Sequence, residues 1–122
     1  MTEWIKVTAI VRPYRVDTVC DALLDAGLIG ITITDVDGRG QQLGYSTLRS
    51  GVWYQSRSHP KVQLETVIEA DRLAEVLEIL GRTARTGEMG DGKIWISAPI
   101  SLWNIRTGKP EEESGTAPSQ KI

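Results

Sequence analysis

Apolar and polar positions along this chain alternate, then recur at helical spacing, then alternate again, and the whole sequence of patterns occurs twice. Trp4, Ile5, Val7, Ala9, Ile10 and Val11 mark a first strand with apolar residues on both faces, and Pro13, which has no backbone donor, ends it. Val16, Val19, Cys20, Leu23 and Leu24 then recur at i, i+3, i+4, i+7 and i+8, one face of a helix, with Gly27 placed as a left-handed cap. Residues 29–36 (IGITITDV) are rich in β-branched side chains and predict a second strand. Residues 61–68 (KVQLETVI) alternate cleanly, with Val62, Leu64 and Thr66 on one face and Gln63, Glu65 and Val67 on the other. Asp71 is placed to N-cap a second helix marked by Leu73, Val76, Leu77 and Leu80, ending near Gly81 or Ala84. Residues 94–96 predict a short fourth strand, and Pro99 turns the chain into residues 100–105, a further short strand or a helical turn.

Strand–helix–strand twice over, with both helices able to cover one sheet face, predicts an α+β fold: a ferredoxin-like βαββαβ sandwich with a long loop between strands two and three. The opposite sheet face needs water or a partner. The apolar residues on both faces of the first strand favour a partner copy, and hence an oligomer. One domain over residues 1–108 is expected, containing the loop 38–60, followed by a flexible tail at 109–122 (KPEEESGTAPSQKI) that has no periodicity.

Composition narrows the function. A chain of 122 residues suits one domain with a core, and 40% hydrophobic with 25% charged residues is ordinary for a globular protein. The net charge of -2 gives no reason to expect a nucleic-acid partner. Cys20 is the only cysteine, which excludes an internal disulfide and a thiolate metal cluster, and its place in an apolar stripe reads as a buried structural thiol. No apolar run approaches the ~20 residues that span a bilayer, and the first residues lack signal-peptide character, so a cytoplasmic protein is expected.

The segment 38–60 holds 23 residues without convincing periodicity, a length at which loops are usually functional. It contains no acidic residue but carries Arg39, Arg49 and Arg57, together with Gly38, Gly40, Gly44 and Gly51 and the aromatic Tyr45, Trp53 and Tyr54. Concentrated positive charge beside aromatic anchors points to an anionic ligand or an acidic partner surface. A solvated hairpin tip or an unrecognised strand pair fits the same residues. Catalytic machinery is thin. His59 is the only histidine and has no evident base or orienting partner; Asp35 and Asp37 are two apart, with the second expected to open the loop; residues 111–113 are a solvated acidic run. No catalytic residue and no metal site is assigned. An RNA-recognition module would need stacking aromatics on the third strand, which has none. An acylphosphatase would need a phosphate loop after the first strand, where Arg12-Pro13-Tyr14 stands instead.

Residues 86–93 (TGEMGDGK) follow the second helix and lead into the fourth strand. Gly87, Gly90 and Gly92 allow successive backbone N–H groups to converge on an anion, and Lys93 adds a mobile positive charge. It is neither the Walker pattern nor a dinucleotide fingerprint, and by spacing alone a tight turn fits as well as a phosphate site.

At these residues the sequence resembles the PII signalling proteins. TGEMGDGKIWI at 86–96 is similar to the family's C-terminal signature, and the likeness runs without a gap over residues 4–108, through Arg12-Pro13, Gly38-Arg39-Gly40, Pro60-Lys61-Val62 and Arg106-Thr107-Gly108. The resemblance implies a non-enzymatic regulator assembled as a homotrimer, with adenine-nucleotide sites in the clefts between subunits. Carried over by position, Gly90, Asp91, Gly92, Lys93 and Arg106 would hold phosphates. Gly38, Gln41 and Gln42 would lie along the nucleotide, and Ile10, Thr32, Glu65 and Val67 would frame the adenine. Gly40, Gln42 and Lys61 would take the effector 2-oxoglutarate, with Gln42 also contacting Mg2+ bound with ATP. The loop, with Arg49, Trp53, Tyr54 and Arg57, would dock onto a target enzyme or a membrane transporter that recruits the protein to the membrane.

The nitrogen branch of the family usually has arginine at Gln41, lysine at Leu43 and arginine at Asn104. Their loss removes three positive charges, and a single charge-assisted phosphate contact contributes about 1.5–3 kcal/mol. ADP or AMP therefore fits better than ATP. The sequence around Tyr54 also departs from the uridylylation pattern. A carboxysome-associated branch that responds to bicarbonate and adenine nucleotides is one expectation. A nitrogen regulator sensing ATP, ADP and 2-oxoglutarate is the other, and a small phosphate-ester hydrolase on the same fold is the enzymatic alternative.

Overall fold

The computed structural model describes residues 2–39, 46–49, 52–55 and 58–111. Strand β1 (Trp4–Val11) turns through a short 3-10 segment at Pro13–Arg15 into α1 (Val16–Asp25), and β2 (Thr32–Gly38) follows. Two short strands, β3 (Ser46–Arg49) and β4 (Val52–Gln55), pair as a hairpin, and β5 (His59–Glu69) leads through a 3-10 turn at Ala70–Arg72 into α2 (Leu73–Ala84). The chain ends in β6 (Lys93–Ile100) and a small hairpin of β7 (Trp103–Asn104) and β8 (Lys109–Pro110).

The main sheet has the order β2-β5-β1-β6 with every neighbouring pair antiparallel. This is the expected ferredoxin-like α+β arrangement, two split βαβ units with both helices on one side. Ile5, Val7, Ala9 and Val11 of β1 and Val62, Leu64 and Ile68 of β5 point into that side, where they meet Val19 and Leu23 of α1 and Val76, Ile79 and Leu80 of α2. Fully burying each aliphatic side chain contributes about 1.5–3 kcal/mol, so this one cluster is the fold's main source of stability.

Helix α1 stops where its sequence says it must. Gly27 has φ +88°, Leu28 N–H donates to Leu23 C=O (3.3 Å) and Gly27 N–H to Leu24 C=O (2.9 Å). That is a Schellman cap, with Leu28 buried beside Leu23 in the core. The start of α2 differs from expectation. Asp71 is not its N-cap, because Ala70–Arg72 forms a 3-10 turn that delays the helix to Leu73, and neither start has a side-chain cap.

Three strand boundaries also move. β2 starts three residues later than expected and reaches Gly38, β5 reaches back to His59, and β6 runs from Lys93 through Pro99 to Ile100. Asp37 and His59 are therefore strand residues, the pairs Asp37–Pro60 and Gly38–His59 closing the sheet edge at the base of the long loop. Within that loop the β3–β4 hairpin is the strand pair that the sequence left open. At the C-terminus Lys109 and Pro110 pair with Asn104 and Trp103, so regular structure continues past residue 108. The remaining tail residues, 112–122, lie outside the described residues.

Candidate functional site

The loop from α2 to β6 takes a path that glycine makes available. Gly87, Gly90 and Gly92 have φ of +90°, +99° and +106°. Gly92 is the most demanding, because a Cβ there would lie 1.7 Å from the Ile10 carbonyl oxygen. Any side chain at that position drives the loop off β1.

Asp91 holds the loop from within. Its carboxylate accepts the Arg12 Nε–H (3.0 Å), the backbone N–H of Thr86 (2.9 Å) and of Gly87 (2.8 Å), and the Thr86 hydroxyl. Arg12 also donates through a terminal nitrogen to the Met89 carbonyl (2.9 Å), and the Lys61 ammonium donates to the Gly90 carbonyl. Two successive carbonyls are thus turned toward cations just beyond β1 and on β5. In a trans peptide the N–H points opposite to the C=O of the same unit. The N–H groups of Gly90 and Asp91 consequently point away from Arg12 and Lys61, toward the outer side of the loop. Two adjacent outward N–H groups beside the exposed Lys93 are a concavity suited to an anion.

The electrostatics follow from these bonds. The Thr86 hydroxyl, then the Thr86 and Gly87 amides and the Arg12 guanidinium, hold the Asp91 carboxyl well below the usual carboxylate range against the opposing effect of burial. Burial, then the nearby Arg12 charge, pulls the Lys61 ammonium below its ordinary value, with Asp91 acting in the other direction.

The sheet brings the expected adenine-framing residues to one face. Thr32, Glu65, Thr8 and Trp95 form one transverse row through their cross-strand pairs, and Thr34, Gln63, Ile10 and Lys93 form the next. Val67 lies opposite Lys6 on the same face, and Glu65 accepts from Gln63 Nε2 (2.7 Å). Ile10 is therefore beside Lys93, which ties the row to the cradle. On the helix side, Asp91, Gly92 and Lys93 wall a cavity of about 280 Å³ that is otherwise lined mainly by apolar residues such as Val11, Leu80 and Ile94. At the loop base a second cavity, about 450 Å³, is bordered by Asp35, Asp37, Pro60 and Lys61. A Cβ on Gly38 would sit 3.4 Å from Lys61 Cγ, so Lys61 touches the loop base with its stem and the cradle with its ammonium.

Arg106 stands exposed on the turn between β7 and β8, outside the cavity that the cradle residues line. Asn104 builds that turn: its side chain donates to Glu111 (3.1 Å) and accepts from Thr107 N–H (3.2 Å), while Gly108 N–H donates to its carbonyl (2.8 Å). Gly40, Gln41, Gln42 and Arg57 lie outside the described residues, as do the side chains of Arg49, Trp53 and Tyr54. Asp91, expected among the phosphate-holding residues, spends its carboxylate organising the loop. Arg12 and Thr86, its partners, were not anticipated as site residues. The signal was present: an acid inside a phosphate-type loop needs an inward cation and donors, or it repels the ligand.

Comparison with known proteins decides the family. The family model described as "Nitrogen regulatory protein P-II" matches residues 4–109. This chain belongs to the P-II family. It is 43% identical over 104 residues to nitrogen regulatory protein P-II 1 of Methanothermobacter thermautotrophicus, covering 85% of this chain and 90% of that one. It is also 39% identical over 106 residues to the nitrogen regulatory protein GlnK of Escherichia coli K12, covering 87% and 95%. Among solved structures it is similar to Arabidopsis thaliana PII bound to citrate, with TM-score 0.72, 34% identity, and 92% and 89% of the two chains covered. These P-II relatives are named as regulatory proteins, and this member is a regulator rather than an enzyme.

Proposed function

We propose that this P-II protein is a cytoplasmic adenine-nucleotide sensor that binds phosphates in the cradle 86–93 and uses the loop 38–60 to control a partner enzyme or transporter. The observation that carries the proposal is the outward pair of N–H groups at Gly90 and Asp91 beside Lys93, fixed by the inward bonds of Met89 and Gly90 to Arg12 and Lys61. Ile10, Thr32, Glu65 and Val67 share one sheet face next to it, where the adenine would lie. ADP or AMP is the preferred ligand, because positive charge is missing at Gln41, Leu43 and Asn104. ATP enters, where it binds, with its own Mg2+.

A homotrimer places Arg106 of one copy against the cradle of the next. Support comes from exposed apolar residues on both sheet edges: Ile33 on β2, and Ile94, Trp95 and Ile96 on β6. The names of the relatives favour nitrogen control, with 2-oxoglutarate as the second effector at Lys61, over a role in inorganic-carbon metabolism with bicarbonate. A ligand shifts the loop only if it binds one loop state better than the other. Gly38 and Lys61, at the loop base and in reach of the cradle, supply that difference. Titration with ADP or AMP in the presence of 2-oxoglutarate or of bicarbonate tests it. Enhancement by 2-oxoglutarate supports nitrogen sensing, enhancement by bicarbonate supports carbon sensing, and absence of any nucleotide binding removes the proposal.

A further inference from the structure

We infer that Arg12, together with Thr86, is a positioning residue for the phosphate cradle, acting through Asp91 and the Met89 carbonyl without touching the ligand; this deepens the proposed nucleotide site and rests on it. Arg12 is the last residue before Pro13, just beyond the end of β1, and its guanidinium is mostly covered, with 17% of the side chain exposed and 24% of Asp91. It crosses 79 positions in sequence to reach Asp91 and 77 to reach Met89. One planar group thereby grips the loop at a carboxylate and at a carbonyl two residues earlier. That geometry needs a fork of donors in fixed directions, which arginine has and lysine lacks.

The consequence for the cradle is directional. The Arg12 bond to Met89 C=O sets the outward direction of the Gly90 N–H. The bonds from Thr86 and Gly87 to Asp91 close the loop's entrance around the same carboxylate. With Arg12 removed, the Met89–Gly90 peptide is free to rotate. Asp91 keeps its charge but loses its inward cation, so the carboxylate turns a favourable site into one that repels phosphate. Neutralising both partners removes that repulsion, and the two substitutions are then non-additive.

The test combines two readouts on the full chain. Amide hydrogen exchange on residues 86–92 is measured in wild type, Arg12→Ala, Arg12→Lys and Thr86→Val without ligand. ADP affinity is measured by calorimetry in the same proteins, in Asp91→Asn and in the Arg12→Ala/Asp91→Asn double variant. Exchange at Thr86 and Gly87 is expected to rise at least about tenfold in Arg12→Ala and Thr86→Val, with incomplete rescue by lysine. The Arg12→Ala dissociation constant is expected to rise about tenfold or more, and the double variant to bind better than the sum of the single losses. Unchanged exchange in Arg12→Ala overturns the inference whatever the protein binds. Strictly additive affinity losses overturn it too. Failure of wild type to bind ADP, ATP or AMP overturns the nucleotide reading and, with it, the positioning role toward a ligand; raised exchange in that case leaves Arg12 a purely structural clasp.

Discussion

Three residues decide whether the cradle exists. Gly92 cannot carry a side chain without meeting the Ile10 carbonyl, and its φ of +106° adds strain. Gly92→Ala should therefore lower stability by about 1–3 kcal/mol or more, read as a drop in the unfolding midpoint. Asp91 is the second. Its carboxyl is held below the ordinary range in the fold, so its stabilising contribution is present in full above about pH 4 and fades as the pH falls further. Urea unfolding of wild type and Asp91→Asn should show a gap at neutral pH that narrows below pH 4; a gap independent of pH would contradict the hydrogen-bonded carboxylate. Lys93 is the third, the exposed charge that the sequence places directly after the glycine loop. The carboxylate's role inside the loop was not legible because its cation, Arg12, lies 79 positions away. Spacing within the loop carries no trace of such a partner.

At the scale of elements, the helices were the most legible because their apolar stripes are long and continuous. Val19 and Leu23 of α1 and Val76 and Leu80 of α2 are buried as periodicity requires, joined by Ile79 and Thr83, whereas Leu24 and Leu77, read onto the same stripes, lie at their exposed margins. Leu80 is 2% exposed in the centre of that packing, and Leu80→Ala should cost about 2–5 kcal/mol in denaturant unfolding. Boundaries were less legible. Ile29 and Ile31 are β-branched, yet pairing with β5 begins only at Thr32–Glu65, since a strand's extent is set by its partner and not by its own composition. The hairpin of β3 and β4 escaped for a related reason. Four residues per strand are too few for alternation to be distinguished from chance, and cross-strand hydrogen bonds supply the order. Gly38, Lys61 and the cradle meet through β5, a link that only the sheet register reveals.

At the scale of the whole molecule, the sheet presents one face to its own helices, and the proposed assembly would use the other. The row of Thr32, Glu65, Thr8 and Trp95 belongs to that second face, and Trp95 remains 46% exposed in the single chain. A trimer that covers it should appear in sedimentation equilibrium as a single species of three times 13.5 kDa, and a Trp95→Glu variant should dissociate it. From sequence, the apolar residues on both faces of β1 point to assembly only as a tendency, because periodicity marks a surface for burial without naming what buries it. Among the described residues no helix is long and apolar enough to cross a membrane.

The proposed nucleotide binding draws on all three scales, and calorimetric titration of the full chain with ADP, AMP and Mg-ATP tests it most directly. A cradle acting as a phosphate site predicts saturable binding of at least one of them, weakened about tenfold or more in the Lys93→Ala/Arg106→Ala variant while its unfolding midpoint stays within a few degrees of wild type. Absence of binding by all three, or equal affinity in wild type and the double variant, would contradict it.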